Sequence, residues 1–341
     1  MAARGQVAVD ALGKIALRLI ARHPDAPAKT LGRRLQAESN GALTLDQAYG
    51  RIRYYLGLKG EKHRRSASRV KRATRPARKA GEILAMPKSL SEPWVPYTMD
   101  VLGPVGIISD VHVPYHSEIA VAAAVGFLKN QSLAGLVLNG DIADFYAISR
   151  YMKDPTQRDF KGELDAVRTF IAWVRSEFPD IPIVYKLGNH EERWTHWLWQ
   201  HAAEISDDPR MSLGAWLDLD KHGVELVEDQ RPVMLGQLPV FHGHELPRGM
   251  AAPVNVARGV WMRMKGTGLV GHHHRTSNHA ESDWRHRETA NWSVGCLCDL
   301  TPEYARVNAW NHGFAVATVH KGGAFDVNNY RVMGDGTVRS A

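Results

Sequence analysis

The sequence predicts an α/β protein preceded by a small all-α module, and two observations predict it. Five short apolar runs of strand length, at 105–109, 133–139, 181–187, 238–241 and 266–270, each end on residues suited to chemistry. The first hundred residues show helical spacing instead. They hold 20 Lys and Arg against 8 Asp and Glu, leaving 23 against 28 in the rest of a 341-residue chain of net charge +7. A chain of this length holds one catalytic domain of roughly 220–250 residues plus a smaller module.

Residues 7–22 place Val9, Leu12, Ile15, Ala16, Leu19 and Ile20 at helical spacing and stop before Pro24, which predicts a first helix. A second, short helix is expected over 30–38. After the break Ser39-Asn-Gly41, Thr44-Leu-Asp-Gln47 reads as a capping box that starts a third helix, ended before Gly57. Three short helices with a glycine-containing turn before the third suggest a helix-turn-helix module over 1–58. The third helix carries Gln47, Tyr49, Arg51, Arg53, Tyr54 and Tyr55, side chains able to touch phosphates and base edges. Small three-helix modules also serve as protein-docking or oligomerisation units.

Residues 59–79 hold ten Lys or Arg, among them Lys62, Arg64, Arg65, Lys71 and Arg72, and one acid, Glu61. With few apolar residues this reads as a basic arm, whose charges add salt-sensitive affinity for a nucleic-acid backbone. A proline-rich connection follows, so arm and linker span 59–103 and the catalytic domain spans 104–341.

In α/β sheets, ligands collect at the carboxyl ends of strands. The motifs that follow the five runs are therefore expected to face one crevice. They are Asp110-Val-His112, Gly140-Asp141-Ile-Ala-Asp144, Gly188-Asn189-His190-Glu191, His242-Gly243 and Gly271-His272-His-His274. Oxygen and imidazole ligands suit Mn, Fe, Zn, Co or Ni, whereas thiolate-rich sites point to structural zinc or iron–sulfur. Histidines grouped with a carboxylate placed to bridge favour a catalytic pair of ions. Two ions roughly 3.5–4 Å apart suit in-line displacement at phosphorus. The residues point to phosphoester hydrolysis.

In this order the motifs resemble those of the calcineurin-like metallophosphoesterase superfamily: D-x-H, G-D-x-x-D, G-N-H-(D/E), H and G-H-x-H. The resemblance covers about residues 104–320 and every motif is filled. It implies a two-sheet β-sandwich flanked by helices and two divalent metal ions, manganese first, with Fe, Zn, Ni, Co or Mg compatible. One ion would be held by Asp110, His112, Asp141 and His274. The other would be held by Asp141, Asn189, His242 and His272, with Asp141 bridging. The resemblance makes His190 the general acid, Asp144 the partner that orients its ring, and a hydroxide bridging the ions the nucleophile. His244 competes with His242 for the fourth motif. His242 is preferred because it directly follows the strand and precedes the glycine, as in the family. His273 receives no role, and Glu191 is expected only to cap the helix that begins near it. Arg193 and Arg275, close to ligands in sequence, are candidates to meet a substrate phosphate or else solvated loop arginines.

One position departs from a subgroup. Serine/threonine phosphoprotein phosphatases carry an arginine straight after G-D-x-x-D, where this chain has Phe145, which disfavours protein phosphatase activity. Segment 145–155 mixes aromatic with basic residues, for core packing or for stacking on a base. Further on, the alternating stretch 288–294 and the run 313–319 are both expected in the second sheet. Cys296 and Cys298, one residue apart, suit neither a disulfide nor a complete zinc site and are expected to be reduced and buried.

No apolar run reaches the roughly 18 residues of a membrane span, and the start lacks a signal peptide's apolar core. A cytoplasmic protein with no membrane contact is expected. Together the two halves predict a dinuclear-metal-dependent phosphodiesterase or nuclease acting on DNA or RNA. One alternative is a small-molecule phosphatase or cyclic-nucleotide phosphodiesterase tethered by its N-terminal module. Another is a DNA-binding scaffold whose phosphoesterase domain is idle.

Overall fold

The computed structural model describes residues 10–24, 26–57, 86–151, 154, 156, 159–247 and 254–341. The chain divides into two units, Met1–Ser91 and Glu92–Ala341. The first contains α1 (Ala11–Arg22), α2 (Ala28–Glu38) and α3 (Leu45–Leu56). The capping box forms: Thr44 Oγ1 accepts from the Gln47 N–H, and Gln47 Oε1 accepts from the Thr44 N–H. Asp10 caps α1 by accepting from the Gly13 N–H at 2.7 Å. Residues three or four apart on each helix share a face, so Leu17, Ile20, Leu31, Leu35, Ala48 and Ile52 close a small core. α2 starts at Ala28, earlier than expected. Residues 7–9 of the expected first helix and the basic arm, with Lys62, Arg64, Arg65, Lys71 and Arg72, lie outside the described residues. Arg51 grips both Asp10 carboxylate oxygens at 2.5 and 2.6 Å and ties α3 to the start of α1. Arg53 stays exposed beside the Tyr49 ring.

The second unit stacks two sheets. Parallel strands β2 (Gly103–Ile108), β3 (Gly135–Asn139), β4 (Ile183–Lys186) and β5 (Val224–Val227) form half of the first. Antiparallel β11 (Gly313–Val319), β12 (Phe325–Val332) and β13 (Val338–Ser340) complete the order β13-β12-β11-β2-β3-β4-β5. The second sheet runs β1 (Tyr97–Thr98), β6 (Val233–Leu235), β7 (Leu238–Phe241), β8 (Gly268–Val270), β10 (Glu288–Ser293) and β9 (Ser277–Ser282).

Side-chain alternation sorts these strands into layers. Val105, Ile107, Val137 and Val184 point between the sheets and meet Leu235, Leu238, Val240 and Leu269. Their neighbours Ile108, Leu136, Leu138, Ile183 and Tyr185 point the other way, onto α4 (Glu118–Lys129) and α5 (Phe160–Glu177). α6 (Glu192–His201) and α7 (Leu213–Trp216) join that layer through Trp194, Leu198 and Leu213. On the far face, α8 (Val256–Met264) sets Val256 and Val260 against Val270. The result is helices, sheet, sheet, helix, a two-sheet sandwich flanked by helices. Each fully buried aliphatic side chain stabilises it by about 1.5–3 kcal/mol.

β7 and β8 lie in the second sheet and β2, β3 and β4 in the first, so the five motif loops come from both sheets. One strand expectation changes. The run 313–319 lies in the first sheet, between β12 and β2. Its Gly-Phe-Ala-Val-Ala-Thr-Val sequence is buried on both faces, as a central strand requires. Only 288–294 belongs to the second sheet, as β10. Among the described residues no helix is long and apolar enough to cross a membrane.

Candidate metal centre

The loops that leave β2, β3, β4, β7 and β8 bring their polar residues into one cluster. Asp110, His112, Asp141, His190, His242 and His274 are buried there, and Asn189 and His272 are half-buried. Asp110, His112, Asp141, His272 and His274 all adopt left-handed backbone, with φ between 50° and 62°. Such a conformation costs a non-glycine residue about 1–3 kcal/mol. Gly140, at φ 79°, makes the sharpest turn possible, since a Cβ there would collide with the His242 ring and the Gly188 backbone.

His274 Nε2 lies 3.1 Å from Asp110 Oδ1 and 3.3 Å from His112 Nε2, which is 3.9 Å from Asp141 Oδ2. On the other side of Asp141, His242 Nε2 is 3.2 Å from the same Oδ2, and His272 converges with them. Asn189 and His272 line one cleft beside this second group. Asp141 is thus common to both groups. Separations of roughly 3 Å between donor atoms are the edges of a coordination shell whose bonds are about 2.0–2.2 Å.

Hydrogen bonds set the tautomers. His112 Nδ1 is 2.9 Å from Asp144 Oδ2 and His242 Nδ1 is 2.8 Å from the Asn139 carbonyl oxygen. Each ring must donate there, which leaves the Nε2 lone pair aimed into the cluster. Asp110 Oδ1, Asn189 Oδ1 and His242 Nε2 are buried with no hydrogen-bond partner. An orphaned buried polar atom costs about 1–3 kcal/mol, and divalent ions held in the cluster would satisfy them. Carboxylate, amide oxygen and imidazole together suit a divalent transition ion. The cluster is therefore able to hold divalent metal.

The charges agree with that chemistry. Burial would lift the Asp110 and Asp141 carboxyls, but neighbouring imidazoles outweigh it and hold both well below the usual range. Burial disfavours a proton on His242, yet Asp141 and Asp110 raise the ring to about 10. Burial and the His242 charge drive His272 down to about 3. The His242 proton supplies positive charge that the two carboxylates demand, and a divalent ion meets the same demand.

Asp144 partners the His190 ring, as expected, but chiefly through its backbone carbonyl. Its carboxylate takes the His112 bond, while His190 Nδ1 donates to its backbone carbonyl at 2.7 Å, with the carboxylate 3.5 Å away. Arg193 donates to the same carbonyl at 2.8 Å and lies 2.9 Å from His190 Nε2. His244 turns from the cluster to Glu192, 3.0 Å away. Arg275 donates to the Val254 carbonyl and lines neither cleft of the centre. Phe145 is buried against Phe160, so that position offers nothing to a phosphate.

Glu191 does not cap its helix through its side chain. Fully buried, it accepts from the N–H groups of Asp141, Ile142, Ala143 and Gly188 at 2.8–3.0 Å and from the Tyr185 hydroxyl at 2.7 Å. Sequence reasoning missed this brace. Cys296 and Cys298 are free and buried, as expected; what sequence reasoning missed is that Cys298 Sγ lies 3.8 Å from His274 Nδ1. The available signal was its place soon after the β10 strand.

The centre opens on two sides. A cleft of about 840 Å³ includes Asn189, His272, Arg193, Arg150, Arg263 and Trp197 in its walls. A second, of about 350 Å³, includes His112, Asp144, Tyr115, Tyr146, Tyr304 and Arg306.

No family model matches the chain. It is 26% identical over 226 residues to the Gene 54 protein of Mycobacterium phage D29, a match covering 62% of this chain and 88% of that protein. Among solved structures it is similar to vacuolar protein sorting 29 from Cryptosporidium parvum, with TM-score 0.38 and 14% identity, over 71% of this chain and 97% of that one. A single mutant of Vps29 from Entamoeba histolytica gives 0.37 and 12%, over 70% and 97%.

Proposed function

We propose that this chain is a metal-dependent phosphoester hydrolase that cleaves phosphodiesters of nucleic acid. The observation that supports this most is a buried cluster of carboxylates and imidazoles, lone pairs inward, with a cleft on each side. A monoester needs room for one substituent on phosphorus, and two clefts suit a phosphorus that carries two. Asp110, His112, Asp141 and His274 would hold one divalent ion and Asp141, Asn189, His242 and His272 a second, with manganese first among the candidates. Two bound ions activate water and stabilise charge on the attacking and leaving oxygens. The order of the motifs, like that of calcineurin-like metallophosphoesterases, supports the same assignment.

The chain's own residues supply position and protons. Asp144 and the Asn139 carbonyl fix His112 and His242 in the tautomers that offer Nε2. His190 keeps one proton on Nδ1, against the Asp144 carbonyl. Burial opposes a second proton, but Asp141 and Asp144 outweigh it and raise the ring above its ordinary value. The Nε2 proton of that cation is the one a leaving oxygen can take. Once protonated, Nε2 no longer accepts from Arg193, whose Nη2 is then free to pair with a phosphate. The basic arm and the exposed Arg53 of the N-terminal unit support a nucleic-acid substrate.

Purified protein with Mn²⁺ is expected to hydrolyse bis(4-nitrophenyl) phosphate and labelled strands of DNA or RNA. Asp141→Asn should lower both by roughly a thousandfold or more while the protein stays folded by circular dichroism. Unchanged turnover in that variant, or wild-type hydrolysis confined to monoesters, would overturn the reading.

A further inference from the structure

We infer that the larger cleft, on the Asn189 and His272 side of the centre, is a subsite for a second phosphate of the substrate. The inference rests on the phosphodiesterase reading above and adds to it what the enzyme holds beyond the bond it breaks.

Three arginines from separate parts of the fold line this cleft: Arg150 after β3, Arg193 on α6 and Arg263 on α8. Among the described residues, the one carboxylate in its walls, Glu192, is already engaged, with His244 Nε2 and Gln230 Nε2 each 3.0 Å from its Oε1. Among the described residues, Arg150 and Arg263 pair with no carboxylate. Arg263 is half-buried and oriented by backbone: its Nε donates to the Gly259 carbonyl at 3.2 Å and its Nη1 approaches the Pro247 carbonyl at 3.5 Å. Its Nη2 donates to Nε2 of His273, a neutral partner, at 3.3 Å. Arg150 lies over the Tyr151 ring.

Like charges gathered in a concave wall repel one another and attract an anion, and a phosphate is the anion that guanidinium forks match. Arg193, which touches His190, serves the reacting phosphate. Arg150 and Arg263, which do not touch it, are left for another. A cleft of about 840 Å³ is the size that holds a ligand larger than one phosphate. The smaller cleft is different, with Tyr115, Tyr146 and Tyr304 beside Asp299, Glu303 and a single arginine, Arg306. That lining suits a ring rather than a chain of anions. The ligand chemistry is therefore a second phosphate, carried either by the next link of a nucleic-acid strand or by a nucleoside polyphosphate.

The test compares the full-length protein with Arg150→Ala, Arg263→Ala and the double variant, in Mn²⁺, on bis(4-nitrophenyl) phosphate and on a trinucleotide, with ATP as a competing ligand. Arg150 is exposed, so its replacement leaves the fold in place. For the double variant, kcat/KM on the trinucleotide should fall at least about tenfold relative to kcat/KM on the one-phosphate ester, mostly through KM. Binding of the labelled trinucleotide without metal should weaken in parallel, with a shallower salt dependence. Weaker ATP inhibition in the variants would mark a nucleoside polyphosphate as a ligand; unaltered ATP inhibition beside the trinucleotide loss would mark the strand. Equal loss on both substrates, or none on the trinucleotide, would overturn the subsite. A wild type that hydrolyses neither substrate would instead defeat the phosphodiesterase reading.

Discussion

Glu191 holds the centre together from behind. Its two oxygens gather four backbone N–H groups from the Gly140 and Gly188 loops, together with the Tyr185 hydroxyl, so it locks the segment carrying Asp141 to the one carrying Asn189 and His190. Glu191→Gln replaces an acceptor oxygen by an amide that donates, setting N–H against N–H. With each buried, unsatisfied donor costing about 1–3 kcal/mol, this variant should lose roughly 3–5 kcal/mol in urea unfolding. It should also bind Mn²⁺ more weakly, although no candidate ligand has changed. Stability near wild type would show that the brace is dispensable. An acid beside a histidine at a helix start has two readings, a cap or a brace. Three of the five donors to Glu191, the N–H groups of Asp141, Ile142 and Ala143, lie about fifty residues away in sequence, beyond the reach of local pattern. Asp144 is similar, since sequence order cannot say whether its carboxylate goes to His112 or to His190.

At the level of elements, periodicity was the legible part. The capping box at Thr44, the strand at 238–241 and the strand at 313–319 appear as their residues dictate. Sheet membership was not legible, because a run buried on both faces fits the middle of either sheet and only distant pairing chooses. The joint between α5 and the 145–149 segment carries its own pH dependence. Glu163, in the first turn of α5, is buried, accepts from the Ala147 N–H at 3.4 Å through Oε2, and has no partner for Oε1. Burial pushes its carboxyl from 4.5 up to about 7, against the Ala147 N–H and with help from the Asp144 charge. Between those values the folded protein keeps a proton that the unfolded chain releases. Stability present below the unfolded value is thus lost as pH rises through the folded one, by up to about 3 kcal/mol. Glu163→Gln stays neutral, so its stability relative to wild type should rise between pH 5 and pH 8 in urea unfolding. The same offset at both pH values would sink this account.

For the whole molecule, the two units have separate cores, and the excess of basic residues belongs to the first. The core residues of the second unit all come from its own strands and helices, so residues 92–341 should fold alone and retain turnover of bis(4-nitrophenyl) phosphate. Binding of DNA or RNA should weaken in this fragment, and the slope of log affinity against log salt should shrink by about 0.9 for each duplex phosphate that is no longer neutralised. Equal binding by fragment and full chain would remove nucleic acid from the role of residues 1–91.

The left-handed backbone at Asp110, His112, Asp141, His272 and His274 bears on the stability of the metal-free protein. Glycine adopts that conformation freely, whereas aspartate and histidine hold it at a cost. Losing these side chains to glycine would therefore relax the backbone at the centre. On this account, replacing one of these residues by glycine should raise the stability of the metal-free protein in urea unfolding, and an unchanged or lower stability would show that the backbone there is not strained.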